Sequence, residues 1–180
     1  MIIAFGYLAR SGKDTAWSYL IARHGFRRIA FADALKRAAS ALTDMDAFDD
    51  YFKDQMTPLG LTGGHMLQCL GMAMRREFGD DVFVHLSLLT ELAKFYPDVV
   101  ITDLRFPNEA AAIKRLGGFC VRIDRNVARD KHVSERSGAE IEWDYIIPNH
   151  DTVEQLYARL DTLVSFLRAP VPLPPLHVGC

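Results

Sequence analysis

Cysteine is scarce in this chain. Cys69, Cys120 and Cys180 form an odd, widely spaced set that fits neither a disulfide framework nor a zinc spacing. An excess of one charge sign is missing too. Lys and Arg total 21 against 23 Asp and Glu, a net charge of −2, which excludes a global pull toward nucleic acid or anionic membrane. No apolar run approaches the ~18 residues of a membrane-spanning helix. The opening MIIAFGYLAR has no basic region before it and no cleavage pattern after it, so it does not read as a signal peptide. A reducing cytoplasm is the expected compartment. There is no repeat of fixed period, no Cys/His dyad and no G-x-S-x-G elbow. Nothing calls for a covalent enzyme intermediate.

What is present is an ordinary globular composition, 49% hydrophobic over 180 residues, enough for one domain with a core. Short apolar runs at 2–8, 27–31, 98–106, 119–125 and 144–149 read as strands. Helical spacing appears at 13–25, 33–42, 64–78, 81–96, 108–118 and 152–168. Strand–helix alternation predicts an α/β fold around a mostly parallel sheet flanked by helices. Residues 1–168 form the expected domain. An acceptor-binding insert occupies about 43–97, its 43–63 part irregular or mobile, and a lid spans about 125–140. A proline-rich tail, 169–180, follows. In such sheets ligands sit at the carboxyl ends of the strands. The unusual residues fall there, at 8–15, 31–36 and 103–109.

GYLARSGKDT, residues 6–15, departs from the phosphate-loop pattern G-x-x-x-x-G-K-[ST]. Five residues separate Gly6 from Gly12, and Asp14 replaces the hydroxyl residue after Lys13. Either the loop is one residue longer, or Tyr7 takes the first-glycine place and Gly6 ends the strand. The working half remains. Arg10, Ser11, Gly12, Lys13, Asp14 and Thr15 lie between a strand and a helix, where backbone N–H groups and a lysine converge on phosphate oxygens. Asp14 can hold Mg²⁺ in place of the usual hydroxyl, and Thr15 can donate to a phosphate. The bland alternative is a turn with a solvated lysine.

Further positions carry chemistry. In a helix, Gln68, Gly71, Met72 and Arg75 share a face. Glycine opens space, Gln can bond a base edge and Arg can clamp a phosphate. Asp103 ends an apolar strand, as a magnesium-positioning carboxylate does, and Arg105 follows for substrate phosphate. Asp33 is well placed to cap a helix; Lys36, one turn on, reaches a ligand or is plain surface. Asn108 and Glu109 open a helix, where capping is the simple explanation. Arg125 and Arg129 lie in a basic stretch suited to a lid closing on the transferred phosphoryl.

The segment ARSGKDT resembles the loop of the phage-type deoxynucleoside monophosphate kinases, a branch of the P-loop kinases with Asp after the Lys. FADALK (31–36), LQCLGMAMRREFGDDVFV (67–84), VVITDLRFPNEAAAIKRLGGFCVRIDR (99–125), HVSE (132–135) and DYIIPN (144–149) are similar to that family's segments, in order. The likeness runs from residue 2 to about 165. It departs at the extra loop residue and at Ala34, where proline is usual. It implies a P-loop kinase fold and transfer of the ATP γ-phosphoryl, with Mg²⁺, to a deoxynucleoside 5′-monophosphate. It also implies that Asp33 faces the acceptor, that homodimers form, and that a phage gene acts in a bacterial cytoplasm. Animal-type phosphomevalonate kinases carry a similar SGKD, so another small-molecule kinase stays open. So does a nucleotide-binding switch.

Overall fold

The computed structural model describes residues 1–6, 10–89, 95–125, 138 and 140–169. Among these residues the strands are β1 Ile2–Gly6, β2 Arg27–Ile29, β3 Val99–Leu104, β4 Phe119–Asp124 and β5 Tyr145–Pro148. They form one parallel sheet in the order β2-β3-β1-β4-β5. The helices are α1 Lys13–His24, α2 Ala32–Thr43, α3 Gly63–Phe78, α4 Pro107–Arg115 and α5 Val153–Arg168.

The central strands β1 and β3 are apolar on both faces because helices cover both. Ile3, Phe5, Val100, Val121, Ile123 and Ile147 pack with Ala16 and Leu20 of α1 and with Leu156 and Leu160 of α5. On the opposite face Ala4, Ile29, Val99, Ile101 and Cys120 pack with Val82, Phe83, Ala110 and Ile113. Burying these side chains contributes roughly 1.5–3 kcal/mol for each large aliphatic or aromatic residue.

The helix ends follow local chemistry. Thr62 caps α3 by accepting the His65 N–H at 3.3 Å, and Thr152 caps α5 from Gln155 at 3.4 Å. At the end of α1, Gly25 donates to Ile21 at 3.1 Å and Phe26 to Leu20 at 3.4 Å, which satisfies two of the last carbonyls.

Three expectations change in detail. The 43–63 segment is irregular, but it is anchored by Phe52, which is fully buried against Ala39, Ala47 and Met66. The 81–96 stretch is not one regular helix. It begins as a helical turn, Val82–Val84, and widens into a π-helical turn, His85–Leu89. The Ser87 hydroxyl donates to the Phe31 carbonyl at 3.3 Å and docks that turn on the start of α2. β2 stops at Ile29 rather than 31, because the N–H groups of Phe31 and Ala32 turn toward Asp103.

Candidate active site

The phosphate loop leaves the sheet at the carboxyl end of the central strand β1. Gly6 is the last residue of that strand. A Cβ on Gly6 would lie 2.1 Å from the Leu104 carbonyl oxygen of β3, so no other residue lets the two backbones approach this closely. Gly6 ends the strand, as either reading of the loop allows. Tyr7 lies outside the described residues. The register of β1 on β3 shifts between Ala4 and Gly6. Phe5 faces two residues of β3, Thr102 and Asp103, a bulge that re-aims the strand end.

Gly12 precedes α1 with φ +97, in the left-handed region, and supplies no side-chain cap. Arg10 is also left-handed, at φ +59. Ser11 is buried; Gly12, Lys13 and Thr15 are partly so. The Lys13 side chain is only 18% exposed, whereas Asp14 is 74% exposed and lies 3.9 Å from the Lys13 Nζ. Asp14 also accepts the Trp17 indole N–H at 3.1 Å. The arrangement is a helix N-terminus with a half-sheltered cation beside it, the elements an anion needs.

Asn149 completes the loop from β5. Its side-chain amide donates to the Ser11 carbonyl at 2.8 Å, and its backbone N–H donates to Asp124 at 2.7 Å. Sequence reading assigned Asn149 no role. It lies 138 positions from Ser11, and its only signal was a place in the segment DYIIPN at a strand end.

At the end of β3, Asp103 takes the capping part expected of Asp33. Asp103 accepts the N–H groups of Phe31 at 2.8 Å and Ala32 at 2.9 Å, one with each carboxylate oxygen. It therefore caps α2 from across the sheet. Burial pushes its pKa up, against the two N–H groups and the Arg105 charge. Asp33 does not cap. It sits inside the first turn of α2, and its carboxylate pairs with Arg28 of β2 at 2.8 and 3.2 Å. Both line a cavity of about 120 Å³ together with Arg27, Arg37 and Ser87. Lys36 lies over the Phe48 ring at 5.3 Å, tying α2 to the irregular segment.

Arg75 enters from α3. Its guanidinium lies 4.7 Å from the centre of the Phe83 ring and 4.4 Å from that of Phe106. Nη2 is 3.6 Å from the Glu109 carboxylate. Burial lowers the Arg75 pKa, and the charges of Glu109 and Asp80 oppose that. Glu109 is buried and accepts the N–H groups of Arg105 at 2.9 Å and Phe106 at 3.1 Å, so the capping expected at this helix start is present. Asn108 instead bonds Asp80 and Asp81, at 3.1 and 2.8 Å.

No family model matches the sequence. A protein of Acanthamoeba polyphaga mimivirus, named "Putative deoxynucleotide monophosphate kinase", is 35% identical over 176 residues, covering 86% of this chain and 91% of its own. The chain belongs to the deoxynucleotide monophosphate kinases. As a member it is a phosphotransferase, with the P-loop kinase fold. TT1252 from Thermus thermophilus shares that fold at a TM-score of 0.53 and 16% identity, over 94% of this chain and 98% of its own. Shikimate kinase from Acinetobacter baumannii does so at 0.50 and 12%, over 94% and 95%.

The kinase gathers Asp103, Arg105, Glu109 and Arg75 at one end of its sheet. Gln68 lies on the exposed side of α3, and Gly71 turns inward, where a Cβ would sit 3.4 Å from Leu35 and 3.7 Å from an Arg75 Nη. Gly71 thus serves helix packing and room for Arg75 together. Arg125 is exposed just past β4. Arg129, most of the 125–140 lid and nearly all of the tail lie outside the described residues. Among the described residues, no helix is long and apolar enough to cross a membrane.

Proposed function

We propose that this kinase moves the γ-phosphoryl of ATP to the 5′-phosphate of a deoxynucleoside monophosphate, giving the diphosphate and ADP. The single observation that carries the reading is the shared end of the sheet. The loop with Lys13 leaves β1 beside the point where β3 delivers Asp103 and Arg105, with their backbones in contact at Gly6 and Leu104. Two phosphate-binding sites side by side suit transfer between two phosphorylated molecules.

In this reading Lys13 and the first-turn N–H groups of α1 hold the ATP phosphates, with Arg10, Ser11, Gly12 and Thr15 shaping the loop. Gln68 reads the base, Gly71 leaves room, and Arg75 holds the acceptor phosphate. Asp33 and Lys36 border that site. Arg105, Arg125 and Arg129 stabilise the charge on the transferring group. No side chain acts as a nucleophile, because the acceptor phosphate oxygen attacks directly and ADP leaves.

The residues fit a magnesium ion. A carboxylate offers about four lone-pair sites, and Asp103 uses two of them on N–H groups. Asp14 is open to solvent beside the lysine. Magnesium is commonly held by one or two carboxylates together with substrate phosphates. Asp14, Thr15 and Asp103 would hold it. When bound, it would neutralise charge on the β- and γ-phosphates.

An ADP-release assay tests the proposal, with ATP, Mg²⁺ and each of the four common deoxynucleoside monophosphates. Ribonucleotides and phosphomevalonate run alongside. Turnover on at least one deoxynucleotide is expected. ATP binding without turnover on any nucleotide would remove the acceptor assignment.

A further inference from the structure

One buried carboxylate at the sheet end does more than its helix requires. Glu109 is 3% exposed. Its Oε2 takes both N–H groups at the start of α4. That capping task needs only an acceptor, which a neutral glutamine supplies equally well. A charged group there is costly. Burial and the Asp103 charge push the Glu109 pKa up to about 7. The charge has a counterpart, because the other oxygen, Oε1, faces the Arg75 guanidinium at 3.6 Å.

Arg75 is held from more than one direction. The Phe83 and Phe106 rings lie against its guanidinium, and Glu109 approaches one of its Nη atoms. Aromatic faces attract a planar cation and limit its orientation. Yet the side chain keeps 26% of its exposure. At 3.6 Å the Glu109 contact is an ion pair rather than a hydrogen bond. Most of the five N–H donors of the guanidinium therefore have no partner among the described residues and suit a ligand. An arginine fixed in orientation with donors to spare is prepared for an oxyanion before one arrives.

We infer that Glu109 is the positioning residue for Arg75, holding its guanidinium ready for the acceptor's phosphate. This rests on the acceptor reading given above. Phe106 belongs to the same device, since Glu109 binds its N–H while its ring carries the guanidinium. The start of α4 and the acceptor clamp are thereby one unit, and Glu109 itself touches no substrate.

Steady-state kinetics of Glu109→Gln separate this role from capping. The variant keeps an oxygen for the two N–H groups and loses only the charge. Its KM for the deoxynucleotide should rise about tenfold, the loss of one charge-assisted contact. Its KM for ATP should stay near wild type, and its melting temperature should not fall. In an Arg75→Met background the same change should add little, because the two residues act together. Phe106→Leu should also raise the acceptor KM without altering Glu109, and it decides the matter if Glu109→Gln fails to fold. An unmoved acceptor KM, or both KM values rising together, overturns the assignment while leaving the kinase reading intact. A wild type that turns over no deoxynucleotide overturns both.

Discussion

The side chain of Asn149 occupies the space that a Cβ on Gly12 would need. Its Nδ2 lies 2.3 Å from that ideal position and donates to the Ser11 carbonyl at 2.8 Å. The loop thus derives its shape from a distant strand end as well as from its own residues. Gly12→Ala should fail for two reasons, its positive φ and this contact. Strain of order 1–3 kcal/mol is expected from the backbone alone. Adding Asn149→Ala removes the collision but not the strain. The double variant should melt above the Gly12→Ala single, and both should bind ATP more weakly than wild type. A double variant no better than the single would mean that Asn149 is not the obstacle.

Lys13 is the clearest catalytic test. Its ammonium lies near no carboxylate closer than Asp14 at 3.9 Å among the described residues, so its removal breaks no tight structural pair. Lys13→Ala should lower kcat by orders of magnitude and shift the melting temperature by only a few degrees. Turnover retained in a folded variant would sink its assignment to the transferring phosphates.

Asp103 combines capping with its proposed magnesium role, and two substitutions separate them. Asp103→Ala leaves the Phe31 and Ala32 N–H groups without their acceptor, at a cost of about 1–3 kcal/mol for each that stays buried. Asp103→Asn retains one oxygen and removes the charge that burial disfavours. Urea unfolding should rank alanine well below asparagine. Activity should be lost in both. An active, stable Asp103→Ala would remove both functions.

Glu109 predicts a pH dependence of stability. Its pKa rises from the ordinary 4.5 to about 7 on folding, so between those values the folded chain binds more protons than the unfolded chain. Stability contributed by this group therefore falls as pH rises through that window and levels off above it. Glu109→Gln lacks the slope. Relative to wild type it should gain roughly 1–3 kcal/mol between pH 5 and pH 8, read from unfolding at each pH. A constant difference across that range would mean that the carboxyl is ionised throughout. The expected loss of acceptor affinity in the same variant makes this a charge kept for function at the expense of the fold.

Much of the architecture was legible because it is local. The apolar run at Val99–Thr102 and the stop at Gly25 gave β3 and the end of α1 from spacing and backbone chemistry alone. The gathering of unusual residues after β1, β2 and β3 pointed to one end of a parallel sheet, where the site lies. The capping of α2 by Asp103 was not legible. Asp33 has the right residue type and place for a cap, but the N–H groups are met by a carboxylate about 70 positions away. The partners of Arg75 were hidden for the same reason, since Phe83 and Phe106 arrive from separate elements. Gly6 was ambiguous by pattern; the approach of the Leu104 backbone explains the glycine, and Tyr7, on which the two readings differ, lies outside the described residues.

The contact between Gly6 and Leu104 bears on how such a kinase can diversify. The interval between the lysine loop and the Asp103–Arg105 turn is set where main chain meets main chain, with no side chain as spacer. Mutations in either loop can then re-tune affinity or substrate choice without changing the gap the phosphoryl group must cross. The reach of the reaction is inherited from the backbone, and the side chains around it are free to drift.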